Sequence, residues 1–186
     1  MRVGRLWVGT KGGLAVLDRT GRVLRTRLRG AGAARAATTG VHAVCCDARG
    51  RVWVALVGGD ILRADATEGT GVVRLRPIHA TGARVRALCP DARGRLWIGT
   101  SAGALVLDDD TMRGAWTVAD GLPAKEVWAL CADGEGRVWA STMAGLALVE
   151  DRAVPARAPA PSPERPCLGY CARPRKADTH RRGCAQ

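Results

Sequence analysis

Histidine is almost missing from this chain, three in 186 residues, with only His42 and His79 ahead of residue 151. Hydrolytic or lyase chemistry needs bases, nucleophiles or metal ligands that converge. No Ser-His-Asp order, paired catalytic carboxylates or phosphate-cradling glycine loop supplies them, so no catalytic residues and no cofactor are expected. Lysine is as scarce: Lys11, Lys125 and Lys176 are all there is, and every other base among the 29, against 17 acids, is arginine. A net charge of +12 is a balance that nucleic-acid and anionic-membrane binders show. Arginine in place of lysine, alongside abundant alanine, fits GC-rich coding instead, and no nucleic-acid partner is expected. No apolar run approaches the ~20 residues that span a bilayer, and no secretory leader pattern is present. Neither a membrane segment nor an export signal is expected in this sequence.

What the chain has is repetition. Four copies of one pattern open on Gly4, Gly50, Gly94 and Gly136, at steps of 46, 44 and 42 residues, and each carries one tryptophan: Trp7, Trp53, Trp97 and Trp139. A second glycine follows six residues after each tryptophan, at Gly13, Gly59, Gly103 and Gly145. Asp47, Asp91 and Asp133 precede the last three opening glycines at a fixed distance, where a carboxylate can bond the N–H groups of a hairpin turn and glycine accepts positive φ. A period of ~40–45 residues with turn glycines and one tryptophan per unit is that of four-stranded β-propeller blades. The fold class is therefore all-β, about three and a half to four blades of four antiparallel strands, with blade motifs near 4–18, 50–65, 94–108 and 136–151.

Within a unit the first strand falls at Val41 to Cys45, Val85 to Cys89 and Val127 to Cys131, followed by the tryptophan strand and an apolar strand. A fourth is expected around Val23 to Leu28, Val72 to Ile78 and Ala115 to Val118. Fourteen strands result. Arginines follow turn glycines (Arg5, Arg51, Arg95, Arg137) or alternate along strands (Arg74 and Arg76, Arg84 and Arg86), which predicts solvated strand faces. Cys45, Cys89 and Cys131 share one rung of successive blades and read as small buried apolar positions. Asp108, Asp109 and Asp110 could attract a cation, but an exposed loop is the expectation.

Open sheets leave edges that invite pairing, and this array is short of a full propeller. The leading expectation is an incomplete propeller, a fragment whose missing blades lie in a longer parent. A closed four-bladed ring and an arc completed by a second chain through open blade edges are the alternatives. Residues 152–186 are expected to form a separate Pro/Arg/Ala/Cys-rich disordered tail, because its prolines remove ladder donors and it carries no apolar periodicity. Cys167, Cys171, His180 and Cys184 could chelate zinc, at a spacing near but not at familiar ones. The preferred reading is an incidental cluster, with no metal site.

The stretch Trp116 to Trp139 is the most specific. Its Asp120-Gly121-Leu122-Pro123 loop, Val127-x-x-Leu130 strand, Asp133-x-x-Gly136 turn, aromatic strand and Thr142-x-x-Gly145-Leu146 ending resemble the two-component regulator propeller repeat. Copies one to four carry the resemblance through residues 1–151, with departures at Ala55-Leu56 and Ala104. The resemblance implies a bacterial signal-transduction sensor, periplasmic, whose parent adds a β-sandwich, a membrane span and a kinase or cyclase output domain. Propeller ligands meet the loops between blades and the inner strand, here near His42, Arg84, Arg86 and Asp120 to Trp128. Lys125, Glu126 and Trp128 are the first candidates for a polar or carbohydrate-like ligand, joined by Arg84, Arg86 and His42; packing of Trp128 between blades is the competing reading. The expected function is non-enzymatic ligand sensing, with a protein-interaction scaffold and a propeller lyase as alternatives.

Overall fold

The computed structural model describes residues 5–24, 27–66 and 72–149; Gly4 and the tail with its four candidate zinc ligands lie outside them. Strands β1 (Leu6–Thr10) and β2 (Gly13–Leu17) form the first blade. The second is built on β4 (Val41–Cys46), β5 (Val52–Leu56), β6 (Asp60–Ala66) and β7 (Val72–Ala80). The third has β8 (Val85–Pro90), β9 (Leu96–Thr100), β10 (Gly103–Asp108) and β11 (Thr111–Trp116), and the fourth β12 (Val127–Ala132), β13 (Val138–Thr142) and β14 (Gly145–Val149). Each blade is built on its own antiparallel meander, and the innermost strands β4, β8 and β12 lie side by side in that order. The all-β propeller reading holds.

The fourth strand of unit one does not. Val23 makes only an isolated bridge to Leu17, and the chain crosses to the second blade, where β3 (Arg27–Arg29) runs parallel to Val72–Arg74 at the outer edge of β7. Blade two thus has five strands. The crossing is held by Gly30, at φ 95°, where an added Cβ would stand 2.6 Å from the Leu75 carbonyl oxygen. Helix α1 (Ala33–Thr38) follows; it was not anticipated, although its alanines are the best helix formers. Its Ala36 is fully buried beside Leu62 and Leu75. In unit three the fourth strand ends at Trp116 rather than running to Val118, because Thr117 and Asp120 close a capping box over the 3-10 turn Val118–Asp120.

One packing rule joins the blades. The tryptophan face of each blade meets the face of the next that carries the residues flanking its own tryptophan: Trp7 and Leu14 against Val52 and Val54, Trp53 and Ile61 against Leu96 and Ile98, Trp97 and Val106 against Val138 and Ala140. Trp53 is 2% exposed and Trp97 0%, while Trp139, with no blade beyond it among the described residues, is 37% exposed. Burying an indole of ~150–250 Å² contributes on the order of 4–6 kcal/mol as an upper bound. The residue two after each tryptophan is small for the same reason: a Cβ on Gly9 would meet Val41 Cγ1 at 2.5 Å, and on Gly99 Val127 Cγ1 at 2.9 Å.

The turn aspartates do more than their spacing foretells. Asp91 Oδ1 accepts the backbone N–H groups of Arg93 and Arg95, both at 2.9 Å, and Oδ2 accepts Arg95 Nε at 2.6 Å and Trp97 Nε1 at 3.0 Å. Asp47 binds Arg49, Arg51 and Trp53 in the same four bonds, and Asp133 binds Glu135, Arg137 and Trp139. Gly50, Gly94 and Gly136 close these turns at φ 78–80°. The expectation of solvated arginines is corrected here: Arg95 is buried, and Arg51 and Arg95 each lie over the tryptophan of their own strand at 5.3 Å. A charge paired and hydrogen-bonded in this way can be buried.

Candidate functional site

The three innermost strands share an irregularity. Their ladders slip between Val41 and Ala43, Val85 and Ala87, and Val127 and Ala129, which leaves His42, Arg86 and Trp128 as the extra residue of a β-bulge in blades two, three and four. Bulges re-aim a side chain at the end of a strand. Three residues expected to meet a ligand therefore occupy one equivalent place on adjacent inner strands.

Arg86 and Trp128 meet. The guanidinium carbon lies 4.2 Å from the indole centroid, Nη2 is 3.4 Å from Glu126 Oε1, and Nε is buried without a hydrogen-bond partner. Trp128 is 44% exposed on the last described blade. A planar cation on an indole is a recurring surface for polar ligands, since it sets N–H donors beside an aromatic face.

The loop that brings Glu126 there is pinned at three points. Asp120 caps Thr117, Gly121 takes φ 102°, and Leu122 is buried in the core between blades three and four. Lys125 and Arg84 are exposed at the same rim, and His42 is exposed on the neighbouring strand. The structure brings Arg86 into contact with both Glu126 and Trp128. Lys125 and Arg84 adjoin Glu126 and Val85 along the chain, and His42 lies on β4 beside β8.

Other sequence candidates resolve differently. Asp109 and Asp110 form a two-residue hairpin turn at φ 43° and 70°. It is not a free loop, since Asp109 Oδ1 accepts Arg49 Nη1 at 2.8 Å and Arg51 Nη1 at 3.1 Å, and Asp110 Oδ2 accepts Arg63 Nη1 at 2.5 Å. The Arg51 bond holds the Asp109 carboxyl below the usual carboxylate range. Arg51 also donates Nη2 to the Gly94 carbonyl at 2.7 Å. This turn ties blade three to blade two. Of the rung cysteines only Cys89 is buried; Cys45 is half-buried, with its thiol pKa pushed up by burial, and Cys131 is exposed because its face of the fourth blade is uncovered. Among the described residues no group of three His, Cys, Asp or Glu is placed to hold a metal, and no helix is long and apolar enough to cross a membrane.

A further Asp-x-x-Gly turn escaped the sequence reading. Asp18 accepts Thr20 Oγ1 at 2.6 Å and the N–H groups of Thr20 and Arg22, and the Thr20 bond lowers its pKa. Its signal was there in Asp18-x-x-Gly21-Arg22, out of phase with the tryptophans.

Residues 80–102 and 121–144 match the model of the two component regulator propeller family. The first matched segment holds Arg86, and the second holds Glu126 and Trp128. No curated protein sequence matches the chain. Among solved structures, the chain is similar to the extracellular domain of BT4673, a candidate one component system of B. thetaiotaomicron, at 21% identity and TM-score 0.60 over 78% of this chain and 20% of that one. It is also similar to the extracellular domain of the candidate hybrid two component system BT3049 of the same organism, at 20% identity and TM-score 0.58 over 77% and 19%. A streptogramin B lyase follows the same fold at 16% identity and TM-score 0.56 over 78% and 48%. The chain thus spans about a fifth of the length of those two extracellular domains, and the likeness establishes the propeller fold.

Proposed function

We propose that this chain is a non-enzymatic sensing segment of a signalling propeller, and that it takes a polar or carbohydrate-like small ligand at the rim formed by Arg86, Glu126 and Trp128. The observation that carries the reading is the guanidinium of Arg86 lying over the half-exposed indole of Trp128. Lys125 and Arg84 stand at the same rim, and His42 repeats the bulge position one blade away. Further blades and an output domain belong, on this reading, to a longer parent sensor that faces the periplasm. A ligand would act by binding one arrangement of that parent more tightly than another, since only differential affinity shifts an equilibrium.

Arginine and tryptophan with one flanking carboxylate suit hydrogen bonding and stacking, and lack the convergent bases that turnover requires. The lyase alternative has a similar fold in its favour, and His42 and His79 as its only described imidazoles. The test is tryptophan fluorescence and calorimetric titration of the full chain with neutral, anionic and cationic oligosaccharides. Saturable quenching that Trp128→Ala and Arg86→Ala both abolish supports the reading. Binding that survives both substitutions, or turnover of a ligand, sinks it.

A further inference from the structure

Strand β3 changes the charge of the blade that receives it. Trp53 pairs with Arg63 and Arg63 with Arg76; Asp65, two residues on, pairs with Arg74, and the parallel ladder then sets Arg29 beside Arg74. Residues paired across a ladder share a face of the sheet, as do residues two apart on one strand. Arg63, Arg76, Asp65, Arg74 and Arg29 therefore lie on the face of blade two that meets blade three. Leu28, Val73 and Leu75, on the other face, belong to the core shared with blade one. Both flanking blades are inside the array, so further blades at either end would add nothing to this face. Its outer margin is open because β3 gives blade two a fifth strand where blade three has four.

Four arginines meet two aspartates there. Asp110 Oδ2 accepts Arg63 Nη1 at 2.5 Å and Arg76 Nη2 at 3.5 Å, and Asp65 Oδ1 stands 3.4 Å from Arg63 Nε. Arg29 and Arg74 are exposed, and among the described residues neither has a hydrogen-bond or ion-pair partner. Like charges directly opposite on neighbouring strands destabilise a sheet. Arg74 does not turn away from β3: its Cγ would stand 3.5 Å from a Cβ added at Gly30. The fourth strand of blade three carries no such excess, since its Arg113 is matched by Asp108 at 3.6 Å.

We propose that Arg29 and Arg74 together bind one tetrahedral oxyanion, phosphate or sulfate, free or as the terminal group of an ester, with Arg76 adding its charge from the same face. Two uncompensated positive charges call for a dianion, and guanidinium forks on adjacent strands suit its oxygens. A carboxylate brings a single charge and balances only one of the pair. The inference is independent of the ligand reading, since no rim residue takes part in it.

The test is urea unfolding of the full chain at about pH 8, where a phosphate group carries close to two charges. Wild type, Arg29→Gln and Arg74→Gln are compared as sodium chloride is replaced at constant ionic strength by inorganic phosphate, sulfate, phenyl phosphate or acetate. Circular dichroism checks that each variant keeps its β signal. In chloride each variant is expected to unfold at the urea concentration of wild type or above it, because one member of a repelling pair is gone. In phosphate or sulfate the folded-to-unfolded ratio of wild type rises about tenfold at ten times the dissociation constant. That rise exceeds the general effect of these salts, which the variants share, and acetate produces no such excess. An excess from inorganic phosphate alone supports a site for the free anion, and an excess from phenyl phosphate as well supports one that also takes esters. Equal anion responses in wild type and variants, a response to acetate as large as that to phosphate, or variants less stable than wild type in chloride overturns the proposal.

Discussion

The indole N–H of Trp97 is spent on Asp91 Oδ2, 3.0 Å away, inside a junction where neither residue reaches solvent. The same carboxylate holds buried Arg95. Removing it takes one shared acceptor from both the Arg95 guanidinium and the Trp97 indole inside that junction. Asp91→Ala is expected to lose on the order of 3–5 kcal/mol of stability, the cost of breaking a buried pair by deleting one partner. Denaturant titration checks it. The equivalent Asp133→Ala, where Arg137 and Trp139 are solvated, should lose far less, and equal losses at the two sites would contradict the burial argument.

Acid should expose the contribution of Asp133. The Arg137 bond, then those of Trp139 and the turn N–H groups, hold its pKa at about 2, below the ordinary 3.8. A lowered folded-state pKa gives stability that is complete above the unfolded value and fades as pH falls through the folded one. The stability difference between wild type and Asp133→Asn should be flat above about pH 5 and shrink between about pH 4 and 2. Paired urea titrations across that range measure it, and a difference growing toward acid would reverse the sign.

Gly99 tests the close approach of blades. Its missing Cβ leaves room for Val127, which would otherwise stand 2.9 Å away. Gly99→Ala is expected to cost about 1–3 kcal/mol through overpacking. At the equivalent place in the second copy Ala55 is already accommodated against Val85, and Ala55→Gly should cost about 1 kcal/mol from lost contact and added chain freedom. Opposite signs at the two sites in thermal unfolding would refute a shared packing rule.

Arg86 and Trp128 should couple. A double-mutant cycle with alanine at each is expected to yield about 0.5–1 kcal/mol of interaction, the range for a cation over a part-exposed ring. No coupling would mean that the stacking carries no energy in solution.

The blade count and the inner strands were legible because the glycine, aspartate and tryptophan recur at a nearly constant period, and each marks a turn or a buried ring. The burial of Arg95 and part-burial of Arg51 were not legible, since an arginine after a turn glycine looks the same whether its partner is water or the aspartate four residues before it. The arginine clamp on Asp109 and Asp110 was hidden for a related reason: its cations come from another blade. The rim was half legible. Loop position singled out Glu126 and Trp128, but the shared bulge at His42, Arg86 and Trp128 exists only in strand register, which spacing alone does not reveal. The misplaced strand β3 fails for a different cause. Its residues Arg27, Leu28 and Arg29 fit either sheet edge by pattern, and Gly30 decides the matter through a backbone contact with Leu75.

That crossing strand has a consequence for how such arrays change over time. The amino-acid period and the structural unit are out of step at the first junction, since β3 belongs by sequence to one blade and by hydrogen bonding to the next. Deleting the second period alone would take β7 from beside β3, so blades one and two are coupled through the backbone, whereas the sheet Val85–Trp116 is built from one continuous stretch of chain.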